Sequence, residues 1–351
     1  MLGVDSIKRV PYIHWENENE LYFYSGNTWC LYSVSEKKIT ATIELPEKAE
    51  NKTLFFKNKS IAYTIDNNLY VVKAGAKPFA ITSDTDKENV YGQSVSRNEF
   101  GITGGIFWSS NGTTIAFYRK DESKVKDYPL VDINKREAEV DFMKYPMAGM
   151  KSENVSLGIY NFDSKETVYI ENEDTVSQKY LTNISWSPDE KSIYIQALNR
   201  EQNHMKLNKY NAASGALINT LFEETNSKYV EPEHPLIFID GKSDKFIYQT
   251  RNDGYNHAYL YSNDGKFIGQ ITKGKWEITN ILSVDKNDMY YISTQESPLE
   301  RHLYKININN GKTEKLTQVK GTHSIKFNNA AGYFIDRYSS TTVPNNIDIF
   351  S

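Results

Sequence analysis

Residues Ile184 to Thr220 read ISWSPDEKSIYIQALNREQNHMKLNKYNAASGALINT, and the order of apolar runs and turns within them decides the fold. Ile184 to Trp186 opens the stretch and Ser187-Pro188-Asp189-Glu190 turns it. The run Ser192 to Gln196 follows, then one ending at Tyr210, then the turn Ser214-Gly215 and the closing run Ala216 to Thr220. Aromatic and β-branched side chains fit a pleated, half-buried surface, whereas Ser, Pro, Asp and Gly supply the backbone freedom of turns. Four short strands in hairpin order form an antiparallel meander. The best helical window, Arg200 to Tyr210, also reads as a strand ending in Leu207 to Tyr210.

The same order recurs along the chain. Leu236 to Thr272 gives LIFIDGKSDKFIYQT, then AYLYSNDG, then KFIGQIT; Ile281 to Thr317 gives ILSVDKNDMYYIST, then HLYKININNG, then KTEKLT. Trp108-Ser109-Ser110-Asn111-Gly112 occupies the turn that Trp186 to Glu190 occupies in its own repeat. Repeats of about 40 to 50 residues with four strands each are the mark of β-propeller blades. Blades open near Tyr12, Leu54, Gly105, Leu181, Pro235, Glu277 and Thr322, which makes seven. A lone blade cannot bury both of its faces, so the repeats must stack on one another. A two-sheet sandwich is the alternative, and the length of repeating meander weighs against it. The expectation is an all-β chain, a single propeller domain over residues 1–351. One repeat is interrupted by Arg119 to Asn154, and so long a connection usually serves function or assembly.

Composition narrows the function. Forty-one Lys and Arg stand against 45 Asp and Glu, a net charge of −4 without a basic block, so nucleic acid is a poor partner. No run approaches the roughly 18 apolar residues of a membrane helix, and the single cysteine, Cys30, cannot form an internal disulfide. Met1 to Pro11 lacks the apolar centre and cleavage site of a secretory signal.

Catalytic motifs are absent. A hydrolase nucleophile elbow needs Gly-x-Ser-x-Gly; the spaced pairs Gly101/Gly105 and Gly265/Gly269 enclose Thr103 and Phe267, and read as turn glycines. The six histidines, His14, His204, His234, His257, His302 and His323, include no close pair, and no metal-binding or phosphate-cradling motif occurs. No catalytic residue, metal or cofactor is therefore assigned. Paired carboxylates for glycoside chemistry stay open, because sequence separation hides distance.

The run Glu99-Phe100-Gly101-Ile102, then Phe107-Trp108-Ser109, then Ala116 to Ser123 (AFYRKDES), resembles the propeller domain of the dipeptidyl peptidase IV family of serine peptidases. So do Tyr145 to Gly149 (YPMAG), Leu181 to Pro188 (LTNISWSP), Tyr229 to Pro232 (YVEP), Arg251 to His257 (RNDGYNH), Thr272 to Glu277 (TKGKWE) and Glu296 to Arg301 (ESPLER). The match spans about Val95 to Ser351 and is most similar to bacterial prolyl tripeptidyl aminopeptidases. It implies an eight-bladed propeller joined to a C-terminal α/β hydrolase that carries the catalytic residues. The chain stops at Ser351, where a last blade would end, so the expectation is a fragment whose hydrolase half is absent.

The resemblance also implies a site. A propeller glutamate binds the substrate's free α-ammonium in this family, and Glu99 matches it, with Arg97 and Asn98 as neighbouring contacts. Dipeptidyl branches carry adjacent glutamates there; Arg97-Asn98-Glu99 departs from that pattern and favours the tripeptidyl branch. The alternative is an ordinary solvated loop acid. The arginine that grips the substrate carbonyl in dipeptidyl members has no counterpart in Ile39 to Asn58, which contains no arginine. The long interruption matches an arm that reaches across a homodimer interface in the family, so residues 121–148, with Asp121, Tyr128, Tyr145 and Pro146, are the candidates for assembly. A periplasmic or cell-surface location is implied by resemblance alone. A stand-alone protein-binding scaffold of WD-repeat or TolB-like type is the rival reading.

Overall fold

The computed structural model describes residues 11–170, 179–242, 244–328 and 332–350. The readings that fall on residues 1–10 and on Ser351 lie outside them. The chain divides into two compact units, one formed by residues up to 181 with 211–217, the other by 182–210 with the rest.

Among the described residues the first unit holds three blade sheets. The strands His14–Trp15, Glu20–Ser25, Thr28–Ser33 and Lys38–Glu44 form one meander; Glu50–Phe55, Ser60–Ile65, Asn68–Lys73 and Phe79–Ala80 form the next. The third contains Ile106–Trp108, Thr114–Asp121, Asn154–Asn161 and Thr167–Tyr169, and Asn89–Tyr91 pairs beside Ile106–Trp108 on the same edge of Thr114–Asp121. The interrupting segment forms a separate hairpin, Asp127–Asp132 with Glu139–Lys144.

Packing explains why Ser60 to Thr64 lacks polar alternation: all five residues are buried. Ile61 and Tyr63 pack with Trp29, Leu31 and Ile43 of the preceding sheet. Ala62, between them, packs with Ile106, Ile115 and Phe117 of the following sheet. Successive side chains of one strand point to opposite faces, so this sheet is sandwiched between two others.

The fourth sheet, Lys179–Trp186, Ser192–Asn199, His204–Asn211 and Leu217–Thr225, lies mostly in the second unit. The window Arg200 to Tyr210 thus contains a strand, with Met205 and Leu207 fully buried. Two four-stranded sheets follow over residues 237–270 and 278–315, packed through Ile247, Leu260, Met289 and Tyr291. The last sheet shows three strands, Thr322–Asn328, Tyr333–Ser339 and Asn346–Phe350. Seven blade sheets are present among the described residues, each opening within a few residues of the position read from the sequence.

The two Trp-Ser turns are built alike. Ser109 N–H donates to the Thr114 carbonyl at 3.1 Å and Ser187 N–H to the Ser192 carbonyl at 2.9 Å. Each serine Oγ accepts from the backbone N–H of the same partner. Gly112 and Glu190 both take left-handed φ values, 70° and 58°.

Candidate functional site

In a meander, the first-to-second and third-to-fourth turns lie at one end of the sheet and all other connections at the opposite end. The Trp-Ser turns occupy the first kind of position. The loop with Glu99, the hairpin and the segments 229–232, 251–256, 272–277 and 296–301 all occupy the second kind in their own sheets.

Glu99 belongs to a loop, residues 92–105, that leaves the third sheet and returns to the same edge. Both ends are fixed on one residue. Gly92 N–H donates to the Tyr118 carbonyl at 2.8 Å, and Tyr118 N–H donates to the Gly105 carbonyl at 3.0 Å. Tyr118 is itself buried and its hydroxyl donates to the Leu181 carbonyl at 2.6 Å.

The tip between these pins has a strained backbone. Ser96, Arg97 and Asn98 take φ values of 53°, 54° and 62°, and Phe100 takes 55°. Glu99 between them is extended, with φ −74° and ψ 166°. Left-handed geometry at a non-glycine residue costs on the order of 1–3 kcal/mol and persists where its surroundings impose it. The imposing groups come from the root of the hairpin. Ser96 N–H donates to Glu153 Oε1 at 3.0 Å, and Arg97 Nη2 donates to the Lys144 carbonyl at 2.9 Å. The Arg97 guanidinium also lies over the Tyr145 ring, 4.5 Å from its centroid. Beneath the tip is a cavity of about 310 Å³ lined in part by Lys120, Glu122, Pro146 and Glu153.

Glu99, Arg97 and Asn98 are all exposed. Among the described residues nothing pairs with the Glu99 carboxylate. Arg97 is turned to the hairpin, and Asn98 Oδ1 accepts from the Ser94 hydroxyl. Asp121 ends a sheet strand at the hairpin root, where its carboxylate accepts the Ser123 N–H at 2.9 Å. Tyr128 and Tyr145 face each other with ring centroids 5.6 Å apart. The hairpin exposes apolar side chains among its charged ones: Leu130, Val131, Ile133, Val140 and Phe142 all meet solvent.

The electrostatics around this root are local. Lys144 Nζ stands 3.1 Å from Glu88 and 3.3 Å from Asp127, and the Glu88 hydrogen bond raises its pKa. Asp84, before the loop, accepts the Asp86 N–H, which chiefly lowers its pKa, and also the Tyr91 hydroxyl at 2.8 Å. Burial, then that bond, pushes Tyr91 up to about 12. In the second unit, Arg251 pairs with Glu277 and lies 3.9 Å from Glu231, tying three connecting segments together. No helix among the described residues is long and apolar enough to cross a membrane, and no group of three metal-ligating side chains occurs among them.

Sequence reasoning missed Glu153. It lies 57 residues from Ser96, and no motif or spacing links the two.

Stacked antiparallel blades define the class: the chain is a β-propeller. Residues 12–345 match the model of the dipeptidyl peptidase IV N-terminal region, and the chain belongs to that family. It is 28% identical over 317 residues to dipeptidyl-aminopeptidase B of Aspergillus niger, with 81% of this chain and 35% of that protein covered. A Bacteroides ovatus crystal structure described as a dipeptidyl aminopeptidase IV superposes with a TM-score of 0.87 at 37% identity, covering 96% of this chain and 50% of that one. Dipeptidyl peptidase 4 of Porphyromonas gingivalis gives 0.79 at 26%, covering 96% and 48%. The chain thus spans about a third of the Aspergillus protein and about half of each solved chain.

Proposed function

We propose that this chain is the non-catalytic propeller of a serine exopeptidase that releases di- or tripeptides after proline, and that Glu99 anchors the free amine of the substrate. The carrying observation is the loop of residues 92–105, which presents an unpaired, exposed carboxylate on a pinned and strained tip beside the hairpin root. A carboxylate fixed in a partly dehydrated cavity pairs strongly with an ammonium group, and its distance from the nucleophile sets the length of peptide removed. On this reading the hydrolase half lies in the rest of the enzyme, the exposed hairpin pairs two copies, and the enzyme works in the periplasm or at the cell surface.

The test uses the full-length enzyme. Glu99→Gln is expected to lower kcat/KM on free-amine prolyl peptides by roughly 2 to 4 kcal/mol and to spare N-blocked esters. Equal loss on both substrate types would overturn the anchor role. Comparing Xaa-Pro with Xaa-Xaa-Pro substrates decides the length released. The relatives named above are called dipeptidyl peptidases, whereas the lone glutamate of Arg97-Asn98-Glu99 favours three residues.

A further inference from the structure

We infer that the root of the hairpin positions the anchor: Glu153, through Ser96, and Tyr145, through Arg97, hold the left-handed turn that sets where Glu99 stands. This rests on the anchor reading above.

Three consecutive residues with φ between 53° and 62° form one turn of left-handed backbone, and of the three only Asn98 is a residue type that adopts this region with ease. The pins at Gly92 and Gly105 fix the base of the loop, and within the tip the Asn98, Glu99 and Ile102 N–H groups each donate to a carbonyl three residues back at 3.1 Å, while the Phe100 ring lies 4.9 Å from that of Tyr180. Ser96 and Arg97 themselves are held from outside the loop by residues 144–153: a carboxylate on the Ser96 N–H, a carbonyl on the Arg97 guanidinium and an aromatic face beneath it. Glu99 follows this turn directly, so any return of Ser96 to Asn98 toward negative φ swings its carboxylate. The cavity below the tip, about 310 Å³, gives the released turn room to fall.

Misplacing a group that orients the substrate by about 1 Å can cost up to a hundredfold in rate. In the full-length enzyme, Glu153→Ala and Tyr145→Ala are therefore expected to lower kcat/KM on free-amine peptides about tenfold, with N-blocked ester turnover within about twofold of native. Glu153→Gln keeps an acceptor oxygen for the Ser96 N–H, and Tyr145→Phe keeps the ring face; both should restore native values. Glu99→Gln combined with Glu153→Ala should fall no further than Glu99→Gln alone, because the second residue acts through the first. Hydrogen exchange at the Ser96 to Glu99 amides should quicken in Glu153→Ala.

Selective loss in Glu99→Gln with native selectivity in Glu153→Ala would overturn the positioning role and leave the anchor standing. Additive loss in the double variant, or equal loss on both substrates, would also overturn it. Absence of selective loss in Glu99→Gln itself would overturn the anchor reading and this inference together.

Discussion

A Cβ at Gly105 would stand 2.1 Å from the carbonyl oxygen of Gln93. The two strands that bracket the Glu99 loop close on each other at this point, and no side chain fits between them. Only backbone movement can relieve such a contact, because neither partner has a flexible end to move.

Gly105→Ala is therefore expected to spread the base of the loop and to destabilise the protein by about 1–3 kcal/mol, the usual cost of overpacking. Thermal or denaturant unfolding measures it. On the proposed anchor role of Glu99, the same change in the full-length protein should also reduce turnover of free-amine peptides.

Gly158 makes a second close approach of a different kind. A Cβ there would meet the Phe117 ring at 2.7 Å, and that ring is fully buried. Gly158→Ala should cost about 1–3 kcal/mol, and a Phe117→Leu background should absorb part of that cost. A double-mutant cycle on unfolding free energy reads the coupling; additive losses would contradict the contact.

The Asp84 and Tyr91 pair predicts the sign of a pH effect. Asp84 is held below the usual carboxylate range, mainly by the Asp86 N–H. Its stabilisation is present above the unfolded carboxylate pKa and lost as pH falls through the depressed folded value. Asp84→Asn should lower the melting temperature at neutral pH, and the gap from native should close in acid.

At the alkaline end the sign reverses. Tyr91 and Tyr194 are both pushed up to about 12, burial being the largest cause. The stability tied to each neutral hydroxyl is complete below the unfolded value near 10 and disappears as pH rises toward the folded one. Tyrosinate absorbance should show a late fraction, which Tyr91→Phe reduces. Complete titration in a single early step would refute this environment.

On the proposed pairing of two copies through the hairpin, replacing residues 127–144 by a short turn should leave the full-length protein monomeric. Tyr128, Val131, Ile133 and Phe142 expose apolar surface that a second copy would cover. Sedimentation of the native and shortened proteins measures it, and an assembly state unaltered by the replacement would overturn the pairing role of the hairpin.

The amino-acid sequence by itself determined the strands, their meander order and the seven repeats. Those features are written in short-range chemistry: aromatic and β-branched runs of a few residues, closed by Gly, Pro, Asn and Asp. The interruption of one repeat was also legible, and resemblance to the family then singled out Glu99 and the arm at residues 121–148 as candidates. What only the tertiary structure decided is how the loop that carries Glu99 is held. The left-handed run at Ser96, Arg97 and Asn98 has no signature in those residue types, and Glu153 reaches Ser96 only because strand pairing returns the chain to the hairpin root. Local propensity specifies neighbours a few residues apart. The position of a carboxylate in space depends on contacts across dozens of residues, and these exist only once the sheets have paired.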